Sequence, residues 1–176
     1  MPGTPEPVPA DRVLTGDGLT LEPLRVERAE EMASALGDPA LHSVIGGRPA
    51  SADELRARYA RQLRGPADPS EEWCTWVVRD GGDGPLVGYV QATLTRDGAR
   101  AELAWVVGTP WQGRGVARRA AALVLAEARR RGAEVVLAHV RPGHAPSEAV
   151  ARSLGMRPTD VVVDGETRWS METGRP

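Results

Sequence analysis

Gln112-Gly113-Arg114-Gly115-Val116-Ala117 is the stretch that decides the fold, because a strand-like run enters it and a run of helix formers leaves it. Upstream, Ala99 to Val107 reads as a strand; downstream, Val116 to Arg131 reads as a helix stopped by Gly132. A glycine-rich turn at that junction leaves backbone N–H groups free at the helix start, where the helix dipole adds positive potential. Glycines let a phosphate approach this backbone without a Cβ in the way, so a pyrophosphate is the expected guest. The Gly-x-Gly-x-x-Gly dinucleotide fingerprint does not fit. Arg118 stands where its third glycine would be, and the strand is the fourth of the chain rather than the first.

The charge around the turn points the same way. Residues 112–131 hold six Arg and one Glu in a chain of formal net charge −2. Arg114, Arg118 and Arg119 fall on the loop or the first helical turn, where cations oppose the dipole unless an anion compensates. Arg129, Arg130 and Arg131 sit at the other end, where the dipole favours them, and read as a solvated capping face.

Working outward, residues 1–12 hold four prolines and read as a flexible Pro-rich leader, with one domain over 13–176. Gly18 to Leu24 reads as a strand, Val26 to Leu36 as an amphipathic helix, and Ser51 with Glu54 as a capping box opening a helix to about Leu63. Glu72 to Arg79 and Pro85 to Leu94 read as strands. Beyond the glycine turn, Glu134 to Val140 reads as a strand buried on both faces and Pro146 to Leu154 as a short helix. Val161-Val162-Val163, Asp164-Gly165 and Glu166 to Met171 form the strongest hairpin signal in the chain. This order describes a mixed sheet with helices on both faces, a three-layer α/β/α domain.

Composition excludes several chemistries. All 22 basic residues are Arg, so there is no P-loop lysine, no pyridoxal phosphate Schiff base and no kinase-type lysine. With 22 Arg against 24 acidic residues, nothing suggests a nucleic-acid field. One cysteine permits no internal disulfide, and the spacing of His139 and His144 is not that of a zinc motif, so no metal is expected. No apolar run spans a membrane and no basic-then-apolar signal opens the chain, so the reading is a soluble cytoplasmic protein. Cys74, between Trp73 and Trp76, reads as core, and Trp73, Trp76, Tyr59 and Tyr89 mostly as packing.

Gln112-x-x-Gly115-x-Ala117 resembles the Gln/Arg-x-x-Gly-x-Gly/Ala signature of the GNAT superfamily of N-acetyltransferases. His144-Ala-Pro-Ser147 followed by Leu154-Gly155-Met156 is similar to that family's second motif, and the branch resembled is that of the ribosomal-protein N-terminal acetyltransferases. The resemblance covers Leu19 to about Trp169. It implies the GNAT fold, with a mixed, mostly antiparallel sheet of about seven strands. It also implies acetyl-CoA as donor substrate, no metal, a small-molecule or peptide amine as acceptor, and a homodimer as the default assembly. Two positions depart from the pattern: His144 stands where the branch usually has Asn, and Ala151 where many members carry a Tyr proposed to protonate the leaving thiolate.

Acetyl transfer to an amine needs the amine deprotonated, the carbonyl polarised and the thiolate protonated or stabilised. By the resemblance, the backbone of Trp105, Val106 and Val107 polarises the carbonyl and pairs with the pantetheine arm. Gln112, Gly113, Arg114, Gly115, Val116, Ala117 and Arg118 take the pyrophosphate, and His144 lies beside the cofactor. Glu102 is the expected base and Ser147 the thiolate partner. His139 and His144 are second-line acid or base candidates, and Glu166 could reach the acceptor side. Two other readings stay open: a non-catalytic CoA-binding protein, and an acyltransferase using a longer acyl-CoA or an aminoacyl-tRNA.

Overall fold

Two Asp-Gly turns, Asp17-Gly18 and Asp164-Gly165, bound the hairpins at the two ends of the sheet. All four residues have positive φ (49°, 76°, 51° and 81°), the geometry that lets a two-residue turn follow the twist of its strands. The computed structural model describes residues 12–174; the expected leader lies outside them except for Arg12, whose carbonyl accepts the Trp76 indole N–H at 2.8 Å.

The strands are β1 (Leu14–Gly16), β2 (Leu19–Pro23), β3 (Glu71–Asp80), β4 (Leu86–Thr95), β5 (Arg100–Val107), β6 (Val135–Val140), β7 (Arg157–Val163) and β8 (Glu166–Glu172). They form one sheet in the order β1-β2-β3-β4-β5-β6-β8-β7. Every neighbouring pair is antiparallel except β5 and β6. The strand beyond the expected seven is β1, which the first Asp-Gly turn folds back onto β2.

The helices are α1 (Ala29–Ala35), α2 (Pro39–Ile45), α3 (Ala52–Gln62), α4 (Val116–Arg130) and α5 (Ala145–Ser153). Alternation along β3 sorts the two cores. Cys74, Trp76 and Val78 face α4 and α5 with Val90, Leu103, Val136 and Trp169. Val77 faces α1 and α3 with Met32, Leu55, Tyr59 and Leu86. The three layers and mostly antiparallel sheet are those expected. The buried stripe of α4 is Val116, Ala120, Ala121, Val124 and Ala128, small enough to bring the helix axis close to the sheet. Ala117, beside that stripe, is only half-buried and borders the cavity described below. Helix α3 opens on the expected capping box, with the Glu54 amide donating to Ser51 Oγ at 3.2 Å and the Ser51 amide to Glu54 Oε2 at 2.8 Å. Helix α2 was not expected, although Asp38 caps it at the Ala40 amide and Pro39 takes its first turn.

Arg131 corrects the reading of a solvated arginine face. Its side chain is 10% exposed and binds Glu127 at 2.9 Å and Glu72, on β3, at 3.2 Å. A second buried arginine ties α1 to the sheet: Arg79 donates to Glu22 at 2.7 Å, to Glu31 at 3.1 Å and to the Gly84 carbonyl at 2.6 Å. The Arg79 hydrogen bond holds the Glu22 carboxyl below the usual carboxylate range. A depressed carboxylate contributes stability above its unfolded pKa and loses it as pH falls through the folded value. Arg79→Met is therefore expected to cost about 1.5–3 kcal/mol near neutral pH, by leaving Glu22 with Arg28 and Glu31 with the Leu86 amide as their remaining partners. The gap should narrow below about pH 4, where the unfolded-state carboxyls protonate. Thermal melts of both proteins at pH 7 and pH 3 check this; an equal gap at both would show that Arg79 acts by packing alone.

Candidate functional site

Strands β5 and β6 share only three register pairs, Arg100–Val135, Ala101–Val136 and Glu102–Leu137. Beyond Glu102 they part. Residues 103–107 keep β4 as partner on one side, with Val106 opposite Tyr89 and Val107 opposite Gly88, and have no strand on the other. Gly88 makes the first side tight: a Cβ there would meet the Val106 carbonyl oxygen at 2.1 Å. A bare strand edge inside a sheet is a slot for an extended ligand arm.

The slot opens into a cavity of about 580 Å³. The end of β5 (Trp105, Val106, Val107), the glycine turn and the first turn of α5 line it. Of the expected cofactor contacts, Gln112, Gly113, Gly115, Val116, Ala117, Arg118 and His144 are in this lining, together with Ser147; Arg114 is not.

Gly113 and Gly115 have φ of 73° and 71°, and a Cβ on either would meet nothing within 4 Å. The glycines are thus required by backbone conformation, and the space above them is open. Among the described residues, no protein group accepts from the backbone N–H groups of residues 113–118; the first intrahelical bond of α4 is Arg119 N–H to the Gly115 carbonyl, at 3.1 Å. Six donors in one curve at a helix start make an anion cradle. Gln112 lines the cavity but donates its side-chain amide to the Val107 carbonyl at 2.9 Å, which fastens the turn to the strand end. The Arg119 guanidinium donates to the Asp17 carbonyl at 2.5 Å and to the Gly115 and Arg114 carbonyls of the turn at 3.4 and 3.5 Å.

On α5, His144 occupies the N-cap position without a side-chain capping bond. Ser147 lies one turn in, half-buried, and its hydroxyl has no partner among the described residues. Ala151 is fully buried in the core, so this position offers no hydroxyl. Glu102 stands outside the cavity lining, at the apex of the strand divergence, its side chain 47% exposed. Glu166 opens β8 on the same face as Arg168, two residues on, and is also outside the lining. Cys74 is core as expected, and burial pushes its thiol up to about 12, which leaves it inert as a nucleophile.

Two parts of the site were not foreseen. Leu41, Val44 and Ile45 of α2 form an apolar wall, Val44 and Ile45 remaining 36% and 43% exposed. The Thr109 hydroxyl, in the lining, is buried with no partner among the described residues, an orphan that a ligand amide would satisfy. The Asp38-Pro39 helix start was a usable signal for the first; nothing in the sequence marks the second.

A cradle for phosphate, a strand edge for an extended arm and orphaned hydroxyls between them fit coenzyme A. Residues 18–157 match the family model described as an acetyltransferase (GNAT) domain. Among solved structures, a GNAT-family acetyltransferase from Bacillus anthracis superposes with a TM-score of 0.74 at 16% identity, covering 92% of this chain and 98% of that one. The ribosomal-protein alpha-N-acetyltransferase RimL in complex with coenzyme A gives 0.75 at 13% identity, covering 92% and 98%. A microcin self-immunity acetyltransferase in complex with acetyl-CoA and AMP gives 0.73 at 13%, covering 96% and 97%. No curated protein sequence matches. Since the family model spans most of the chain, on the same glycine turn and divergent strands that build the cavity, the chain belongs to the GNAT acetyltransferase family.

Proposed function

We propose that the protein is an N-acetyltransferase that moves the acetyl group of acetyl-CoA to a primary amine by direct attack. The observation that carries this is the single cavity joining the unpaired N–H groups of residues 113–118 to the bare β5 edge and to Ser147. In this reading the turn and Arg118 hold the pyrophosphate, Thr109 and the β5 edge hold the pantetheine arm, and acetyl-CoA supplies an acyl carbon already activated as a thioester. The amine nitrogen forms the new C–N bond as the C–S bond breaks; the amine proton leaves toward Glu102, and Ser147 hydrogen-bonds the departing sulfur. A backbone N–H of β5 polarises the carbonyl. Glu102 and Val106 are four residues apart, about 13 Å along a strand, so the proton reaches Glu102 through bridging water. Direct attack is favoured because the one cysteine, Cys74, is buried and held protonated, which closes a covalent thiol route.

The apolar wall of α2 and the polar open face around Glu102 suit an amine with an apolar flank, either a small molecule or a peptide N-terminus. The test is acetyl-CoA with a panel of such amines, following thiol release and acetylated product together. Tight coenzyme A binding with no thiol release across the panel would identify a binding protein instead. Release only with longer acyl donors would move the specificity away from acetyl.

A further inference from the structure

Glu102 is the end of a three-residue chain. Its Oε1 lies 3.0 Å from His139 Nδ1, and His139 Nε2 lies 3.2 Å from Arg168 Nε. The sheet register brings them together: Glu102 is opposite Leu137, two residues before His139, and His139 is opposite Arg168. Paired residues and residues two apart share a face, so all three project from the side that α4 and α5 do not cover. His139 is the shielded member, its side chain 15% exposed against 47% for Glu102.

The chemistry of the groups fixes the direction of this chain. An arginine Nε–H can only donate, because a guanidinium has no acceptor. The His139 nitrogen facing it therefore carries the lone pair. The one proton of the neutral ring is then on Nδ1, pointing at Glu102, which accepts it. Neutral histidine would otherwise be free to present either nitrogen to an incoming proton.

We infer that Arg168 and His139 are positioning residues that make Glu102 the only proton acceptor at the mouth of the β5–β6 slot. Arg168 occupies the imidazole nitrogen that could act as a base, and so takes His139 out of the competition. His139 directs its single N–H to Glu102 Oε1, which leaves Oε2 as the unpaired oxygen for the water that carries the proton from the amine. This role rests on the acyl-transfer reading above; the tautomer itself does not.

The experiment uses the full chain labelled with nitrogen-15 and saturated with coenzyme A. Long-range proton–nitrogen correlation reads the ring nitrogens of His42, His139 and His144, with His139 assigned by its loss in His139→Asn. The expected wild-type pattern at His139 is a protonated Nδ1 and a bare Nε2. In Arg168→Met, which keeps the packing and loses the donor, the ring should shift toward the Nε2–H form. Kinetically, His139→Leu should lower kcat roughly ten- to hundredfold, the range for losing a hydrogen bond to a charged group, with KM for acetyl-CoA unchanged. His139→Asn, whose Nδ2 can replace the Nδ1–H donor, should recover most of that loss. A wild-type His139 protonated at Nε2, or an Asn variant no better than Leu, would overturn the inference. A wild type that releases no thiol with any amine while His139 keeps the Nδ1–H form would instead overturn the acyl-transfer reading.

Discussion

Gly115→Val is expected to weaken coenzyme A binding at least about a hundredfold while the folded domain persists. Gly115 caps α4 with φ at 71°, a conformation that a β-branched residue adopts only under strain of about 1–3 kcal/mol. Relaxing that strain would rotate the peptide planes that aim the N–H groups of residues 113–118. Keeping it would place two methyl groups in the open space above the turn, where a Cβ now meets nothing within 4 Å. Either way the cradle loses several charge-assisted bonds, each worth about 1.5–3 kcal/mol, and no lysine stands nearby to compensate. Titration calorimetry with coenzyme A measures the loss and circular dichroism verifies the fold. A Kd within a few-fold of wild type would mean that the phosphates rest somewhere else.

The second large effect is expected at Glu102. Glu102→Gln preserves size and an oxygen that can still accept from His139 Nδ1, so the network described above should survive while the basic carboxylate is lost. General-base catalysis contributes about 10²–10⁴ in rate, and a fall of that order in kcat is expected with the coenzyme A Kd unaltered. Because Glu102 lies outside the cavity lining, unchanged binding is a strict expectation, and the two measurements separate chemistry from affinity. A kcat within threefold of wild type would transfer the base to another group, with Glu166 on the same face the first to examine.

What could be read from the chain alone was whatever local chemistry dictates. The glycine turn announces itself because orphan N–H groups and positive φ can be met only by certain residues. The Asp164-Gly165 hairpin does so for the same reason, and the capping box of α3 is written in two positions three apart. The partners of charged side chains were not legible, since they are set by register across strands distant in sequence. Glu102 and His139 meet only because α4 carries the chain over to lay β6 parallel to β5. Arg119 sits beside the turn as its place in the sequence dictates, but its contact with the Asp17 carbonyl, about a hundred residues away, could not be read there. Arg131 looked solvated until Glu72 arrived on β3. Helix α2 escaped notice because seven residues carry too little periodicity to show, despite a proper cap.

The parting of β5 and β6 has a mechanical side. Three register pairs are the only strand pairing between the five-strand part of the sheet and the three-strand part, with α4 bridging them from one side. This lightly paired seam in the middle of the sheet is therefore also the place where a ligand arm would lie. A molecule that pairs with the bare edge of β5 and touches the start of α5 acts as a missing rib, and its binding energy enters the cohesion of the three-strand part directly. Amide exchange in β6, β7 and β8 would then slow on ligand binding even at residues the ligand never approaches.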